Sequence, residues 1–206
     1  MSFPPTHMLI GAGTGDLVSA AVPGPKRWHV WLAAGMLGAL PDVDIVVGLA
    51  TGRGGTLHGT FTHSITAAVV VALAAWFMGG WRWGLIAGTS YGSHLVVDLL
   101  DARGPTNVEL LWPFAHAESY AIAPVFPTVP FETGGGAVHA ALSLLDPHIL
   151  KFLFWQTCVG AVFAAFLFAA GWLVRRLHRP PPPLLADGTE DRRGRERRKR
   201  GEVPAR

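Results

Sequence analysis

Phe152 to Val174 is a run of 23 residues without a single charge. A bilayer core takes about 20 helical residues to cross, so this run alone predicts a membrane span. Lipid also restricts the architecture, because a backbone with no water near it must satisfy its own hydrogen bonds, and helices do so within one segment. Further apolar runs follow the same logic. Ser64 to Trp81 is charge-free over 18 residues, and Trp83 to Val97 over 15, with the pattern continuing through Asp98 to Leu100. Trp28 to Val47 is apolar apart from His29, Asp42 and Asp44, and Met8 to Val22 is a shorter stretch holding Asp16. The expected fold class is all-α, a multi-pass transmembrane helical bundle of four spans with a short fifth segment at the N-terminus.

Composition excludes the main alternatives. Of 206 residues, 50% are hydrophobic and only 15% charged, against about 25% charged in a typical soluble domain. Long apolar runs exclude disorder for the body of the chain. Cys158 is the single cysteine, so no internal disulfide scaffold exists. The net charge of +3 conceals a split: from Arg175 onward there are eleven Lys/Arg and five Asp/Glu, and before it six and nine. The chain therefore divides into a membrane-embedded domain, 1–175, and a tail, 176–206, with a polyproline-like spacer at Pro180 to Pro183 and a basic, disordered end. Basic residues beside a span favour the cytoplasm, and Arg175, Arg176 and Arg179 follow the last span directly. The C-terminus is expected inside, and the tail to meet solvent and anionic lipid rather than nucleic acid.

Counting backwards from that tail places the polar residues. Asp42 and Asp44 fall near the outer end of the 28–47 span. His58 and His63 precede the outer start of the 64–81 span, His94 and Asp98 lie in the outer half of the 83–100 span, and His7 precedes the first segment at its outer start. Seven candidate ligands thus converge on one membrane face. Ionisable residues in spans are costly and point to function. His94 and Asp98, four apart, share a helix face. Asp42 and Asp44 follow Pro41, and two close carboxylates repel unless protonated or neutralised by a cation. In His58-Gly-Thr-Phe-Thr-His63-Ser64, Gly59 allows a tight turn. Imidazole with carboxylate suits zinc, with manganese or iron as alternatives. Asp16 is expected to make a polar contact inside the bundle. The region 102–150, with Pro124, Pro127, Pro130 and Gly134 to Gly136, reads as an outer loop.

Thr6-His7, Leu40-Pro-Asp-Val-Asp44, His58-Gly-Thr-Phe-Thr-His-Ser64, Ser93-His-Leu-Val-Val-Asp98 and Leu110-Leu-Trp-Pro113 occur in that order. Over roughly residues 6–114 this resembles the YdjM-like family of bacterial inner-membrane metal-dependent hydrolases, itself similar to the all-helical zinc phospholipases C and single-strand-specific zinc nucleases. The resemblance implies a phospholipase C-like metal site acting on a phosphodiester or related ester, with His7, Asp42 or Asp44, His58 or His63, and His94 with Asp98 as ligands. Those soluble relatives use a second His-x-x-x-acid pair, which is lacking here: His139 has Ser143 four residues on. One or two ions are therefore expected rather than three.

The resulting expectation is a membrane-bound metal-dependent hydrolase. One of Asp42 and Asp44 would orient the metal and the other accept a proton. Its substrate would be lipid-linked or a small extracytoplasmic ester, reached from the bilayer. The rival is a metal-binding carrier or sensor without hydrolysis, although a carrier predicts polar residues through the whole depth of the bundle. No phosphate-binding loop or His-Glu-x-x-His occurs.

Overall fold

The computed structural model describes residues 3–22, 27–53, 57–101, 108–115, 125–126, 136–178 and 199. The chain divides into two compact units, Met1–Arg175 and Arg176–Arg206. The polyproline spacer, most of the basic tail and much of the 102–150 region lie outside the described residues.

Among the described residues the secondary structure is helical, with an isolated bridge between Asp101 and Phe126 as the one β feature. Helix α1 spans Pro4–Ala21, α2 Arg27–Ala39, α3 Val43–Ala50, α4 Ile65–Gly79, α5 Trp81–Leu99, α6 Gly136–Ser143 and α7 Pro147–Leu177. A 3₁₀ turn, Leu40–Asp42, joins α2 to α3 around Pro41, whose missing N–H interrupts regular helical bonding. The single 28–47 segment expected from sequence is therefore broken at its acidic end. The break leaves Asp42 and Asp44 buried on the two sides of a helix junction.

Prolines at the first turn suit the start of α1, because their missing N–H groups would have no helical partner there. Helices α1 and α2 carry glycines where they approach each other most closely. A Cβ on Gly38 would stand 2.5 Å from the His7 carbonyl, and one on Gly11 2.6 Å from that of Ala34. Glycine costs up to about 1 kcal/mol in a helix interior, and here it lets two backbones touch, as small residues do in membrane helix pairs. On another side, α7 packs against α1 through Gly160 beside Thr6 and Gly171 beside Asp16.

Ser64 caps α4, its Oγ accepting from the Ala67 N–H at 3.0 Å, which satisfies an orphan donor of the first turn. Gly80, with φ of +85°, ends α4 and opens α5, so the two form a tight hairpin. No residue of α4 is buried, and Phe77 and Met78 at its end are almost fully exposed.

Two stretches are long and apolar enough to cross a membrane: Arg27–Ala50, at 24 residues, and Pro147–Leu177, at 31. At 15 residues, α4 is about 22 Å long at 1.5 Å per residue, short of a full span. At the end of α1 away from His7, buried Asp16 accepts from Arg27 Nε at 3.0 Å, Trp31 Nε1 at 2.7 Å and Arg175 at 2.6 Å. This is the polar contact expected of Asp16, and it joins α1, α2 and α7.

Candidate metal centre

Four pieces of chain bring their polar residues together: the first turns of α1 supply His7, the broken α2–α3 junction Asp42 and Asp44, the 57–64 turn His58 and His63, and the end of α5 His94 and Asp98. Gly59, at φ +85°, takes the left-handed conformation that glycine adopts without steric cost and lets the turn place both histidines on one side. All seven residues singled out from the sequence lie in this cluster. They fall in three groups whose ligand atoms come within 4.8 Å of one another: His7, His94 and Asp98; Asp42, His63 and His94; Asp44, His58 and His63. His139 and His148 belong to none of these groups.

Hydrogen bonding assigns the tautomers. His94 Nδ1 lies 2.8 Å from the Gly38 carbonyl. A carbonyl only accepts, so Nδ1 carries the hydrogen and Nε2 of the neutral ring keeps its lone pair. Behind His63, the Thr62 hydroxyl donates to Asp44 Oδ2 at 2.6 Å, and His63 Nδ1 faces that same oxygen at 3.2 Å. The His63 Nδ1 is thereby a donor too, and its Nε2 also points a lone pair forward. The two Nε2 atoms are 3.0 Å apart. Asp98 Oδ2 stands 3.0 Å from His94 Nε2 and 3.4 Å from His63 Nε2. Asp42 Oδ1 is 3.7 Å and 3.9 Å from the same nitrogens.

His7 stacks on His94 with ring centroids 3.7 Å apart and its Nε2 3.4 Å from Asp98 Oδ1. Both ring nitrogens of His7, both carboxylate oxygens of Asp42 and Oδ2 of Asp98 are buried without a hydrogen-bond partner. Buried carboxylates in that condition are expensive unless something positive meets them. These buried His and Asp groups can hold a metal ion.

Burial lowers the pKa of His63 to about 4 in spite of the Asp44 carboxylate behind it, so the ring is neutral at pH 7, the form that binds metals. Burial is the largest influence on His58 and opposes its charge, but the bond to Asp44 at 3.1 Å together with the negative charges of Asp44, Asp98 and Asp42 outweighs it, and the pKa is raised.

Asp44 accepts from Thr62 and faces His58 and His63, so it stands behind the imidazoles rather than among the forward-facing atoms. Sequence reasoning missed three supporting groups. The Gly38 carbonyl orients His94. The Thr62 hydroxyl orients Asp44. The Tyr91 hydroxyl donates to the Thr62 carbonyl at 2.5 Å and fastens the histidine turn to α5. Tyr91 precedes His94 by three residues and so shares its helix face, which was the available signal.

The model of the YdjM inner membrane protein family matches residues 1–180. The chain belongs to that family. The YdjM description names a membrane and no reaction. No curated protein and no solved structure matches the chain.

Proposed function

We propose that this YdjM-family protein is a multi-pass, metal-dependent hydrolase of a phosphodiester or related ester at the outer face of the inner membrane. The observation that carries this reading is that His63 Nε2 and His94 Nε2 lie 3.0 Å apart and that Asp98 Oδ2 and Asp42 Oδ1 each approach both of them, at 3.0 to 3.9 Å. A tetrahedral zinc with ligands near 2.0–2.1 Å has ligand–ligand edges of about 3.3 Å. Zinc is the best fit for two imidazoles and two carboxylates, with manganese or iron as alternatives, and His7 is placed to serve the same or a second ion through Asp98.

When bound, such an ion polarises the scissile ester and lowers the pKa of water. The chain's own residues do the rest. Gly38 and Asp44 fix the two imidazoles from behind, as outer partners do in zinc sites. Asp42 has two partnerless oxygens, one to ligate and one to accept a proton from the attacking water. Asp44, already engaged by Thr62 and two histidines, is the orienting carboxylate of the pair rather than the base. The α4–α5 hairpin, apolar on its outer surface, completes four passes with the two longer spans, α4 being the shortest, and α1 is the fifth segment. The Arg175 end is cytoplasmic and the His/Asp end extracytoplasmic.

Zinc- or manganese-loaded protein should hydrolyse bis(p-nitrophenyl) phosphate or a phospholipid in vesicles, and chelation or His94→Ala should abolish it. A metal-replete protein inert toward every phosphodiester tested would contradict the hydrolase. It would favour the carrier or sensor, for which the burial of every inner ligand is the supporting observation.

A further inference from the structure

An apolar groove of about 470 Å³ lies between α1, α5 and α7. Its lining includes Ile10, Val97 and Leu100 at one end and Phe163, Phe166 and Ala170 along α7. Three facts connect it with the metal centre and the bilayer. First, Ile10 sits one turn beyond His7, and Val97 immediately precedes Asp98, so the groove begins beside the ligands. Second, it runs away from them along the helices. Thr6 meets Gly160, Gly13 meets Leu167 and Asp16 meets Gly171, so α1 and α7 run in parallel. The stretch from Phe163 to Ala170 therefore follows α1 inward for about 10 Å. Third, Phe163 and Phe166 are exposed. They continue the apolar surface of α7, the longest candidate span, so the groove faces the hydrocarbon layer.

We propose that this groove holds an acyl chain of a membrane phospholipid whose headgroup phosphodiester reaches the metal centre; the substrate role rests on the hydrolase reading, and the chain site itself does not. The volume falls in the range of about 300–1,000 Å³ usual for small-molecule sites. The lining carries no charge, so the tail is recognised by shape, and specificity for the head is left to the His/Asp cluster. A second apolar groove of about 470 Å³, between α4 and α5 and lined by Ala72 and Gly88, is the rival site in the same experiment: Leu95 and Leu99 bring it beside His94 and Asp98 as well, but its lining includes no residue of α1, the helix that carries His7.

The test is photolabelling of the full-length protein in phosphatidylglycerol nanodiscs doped with the same lipid carrying a mid-chain diazirine. Label should fall on the Ile10–Thr14 and Phe163–Ala170 peptides at least about fivefold above α4. Ala170→Phe, which fills the groove remote from the ligands, should remove that excess and leave metal content unchanged, whereas Ala72→Phe should keep it. Even labelling of α4 and α7 in the unmodified protein would overturn the proposal, and this comparison needs no variant to fold. Labelling unaffected in folded Ala170→Phe would overturn it equally. Groove labelling by a protein that binds no metal would keep the chain site and sink the hydrolase. Hydrolysis of bis(p-nitrophenyl) phosphate with even labelling would do the reverse.

Discussion

His63 and His94 present their Nε2 atoms to each other at 3.0 Å, each with its Nδ1 hydrogen already committed to an acceptor behind it. Two lone pairs do not face each other at contact distance without a shared proton or cation. Asp98 and Asp42 also approach these nitrogens, and the proposed reading puts a divalent cation there.

Asp42 and Asp44 should separate in mutagenesis. Asp42→Asn replaces a partnerless forward-facing carboxylate with a weak ligand, and the ion should be lost from the site. Asp44→Asn leaves every forward ligand in place and removes only the orienting acceptor. Outer-partner mutations of this kind typically cost about 10- to 100-fold in affinity or activity. Competition titration with a zinc chelator distinguishes the two, and equal effects would contradict the layered arrangement.

Tyr91→Phe deletes one hydroxyl bonded to the Thr62 carbonyl. A buried hydrogen bond contributes about 1 kcal/mol net, and more when its partner is left unsatisfied. The variant should fold, melt a few degrees lower, and bind metal more weakly, because Thr62 orients Asp44. Thermal midpoints with and without added zinc measure both effects, and a variant as tight as the parent would rule out the positioning role.

Two glycine substitutions form a pair. Gly38→Ala sets a methyl 2.5 Å from the His7 backbone oxygen, whereas a Cβ on Gly92 has nothing within 4 Å. The first should prise α1 from α2, cost about 1–3 kcal/mol as overpacking does, and displace both His7 and the carbonyl that orients His94. Gly92→Ala should be neutral or slightly stabilising. Detergent thermal unfolding with parallel metal analysis checks the contrast.

Asp16→Asn tests the opposite end. Asp16 is fully buried, but Arg27 is half exposed and Arg175 partly exposed, so the loss of the carboxylate should cost less than the about 3–5 kcal/mol of a fully buried pair. Asp16 lies nine residues from His7 on α1, about 13 Å along the axis, so the folded fraction should retain its metal. Loss of metal at a temperature where the variant is folded would tie the two ends together and contradict their separation.

How much of this was legible in sequence depends on distance along the chain. The charge-free run at 152–174 read out directly as a span, because length and polarity are local properties. Its start at Pro147, and the break at Pro41 that turned one expected helix into α2 and α3, depend on packing and backbone geometry. The approach of His7 to His94 across 87 residues was suggested only by counting membrane crossings. The supports behind the ligands were less visible still: the Gly38 carbonyl has no side chain to notice, and Thr62 reads as an ordinary turn residue until Tyr91 is seen to hold it. Asp16 was legible as a polar contact, but its partners Arg27 and Arg175 lie 11 and 159 residues away.

The most direct test of the central claim is the metal content of the detergent-purified protein by elemental mass spectrometry, beside folded His94→Ala and Asp98→Ala. The account predicts at least about one equivalent of zinc, manganese or iron per chain, lost in both variants. A native protein that holds no stoichiometric metal even after reconstitution would contradict it, and the convergence of His63, His94, Asp42 and Asp98 would then need another counter-charge.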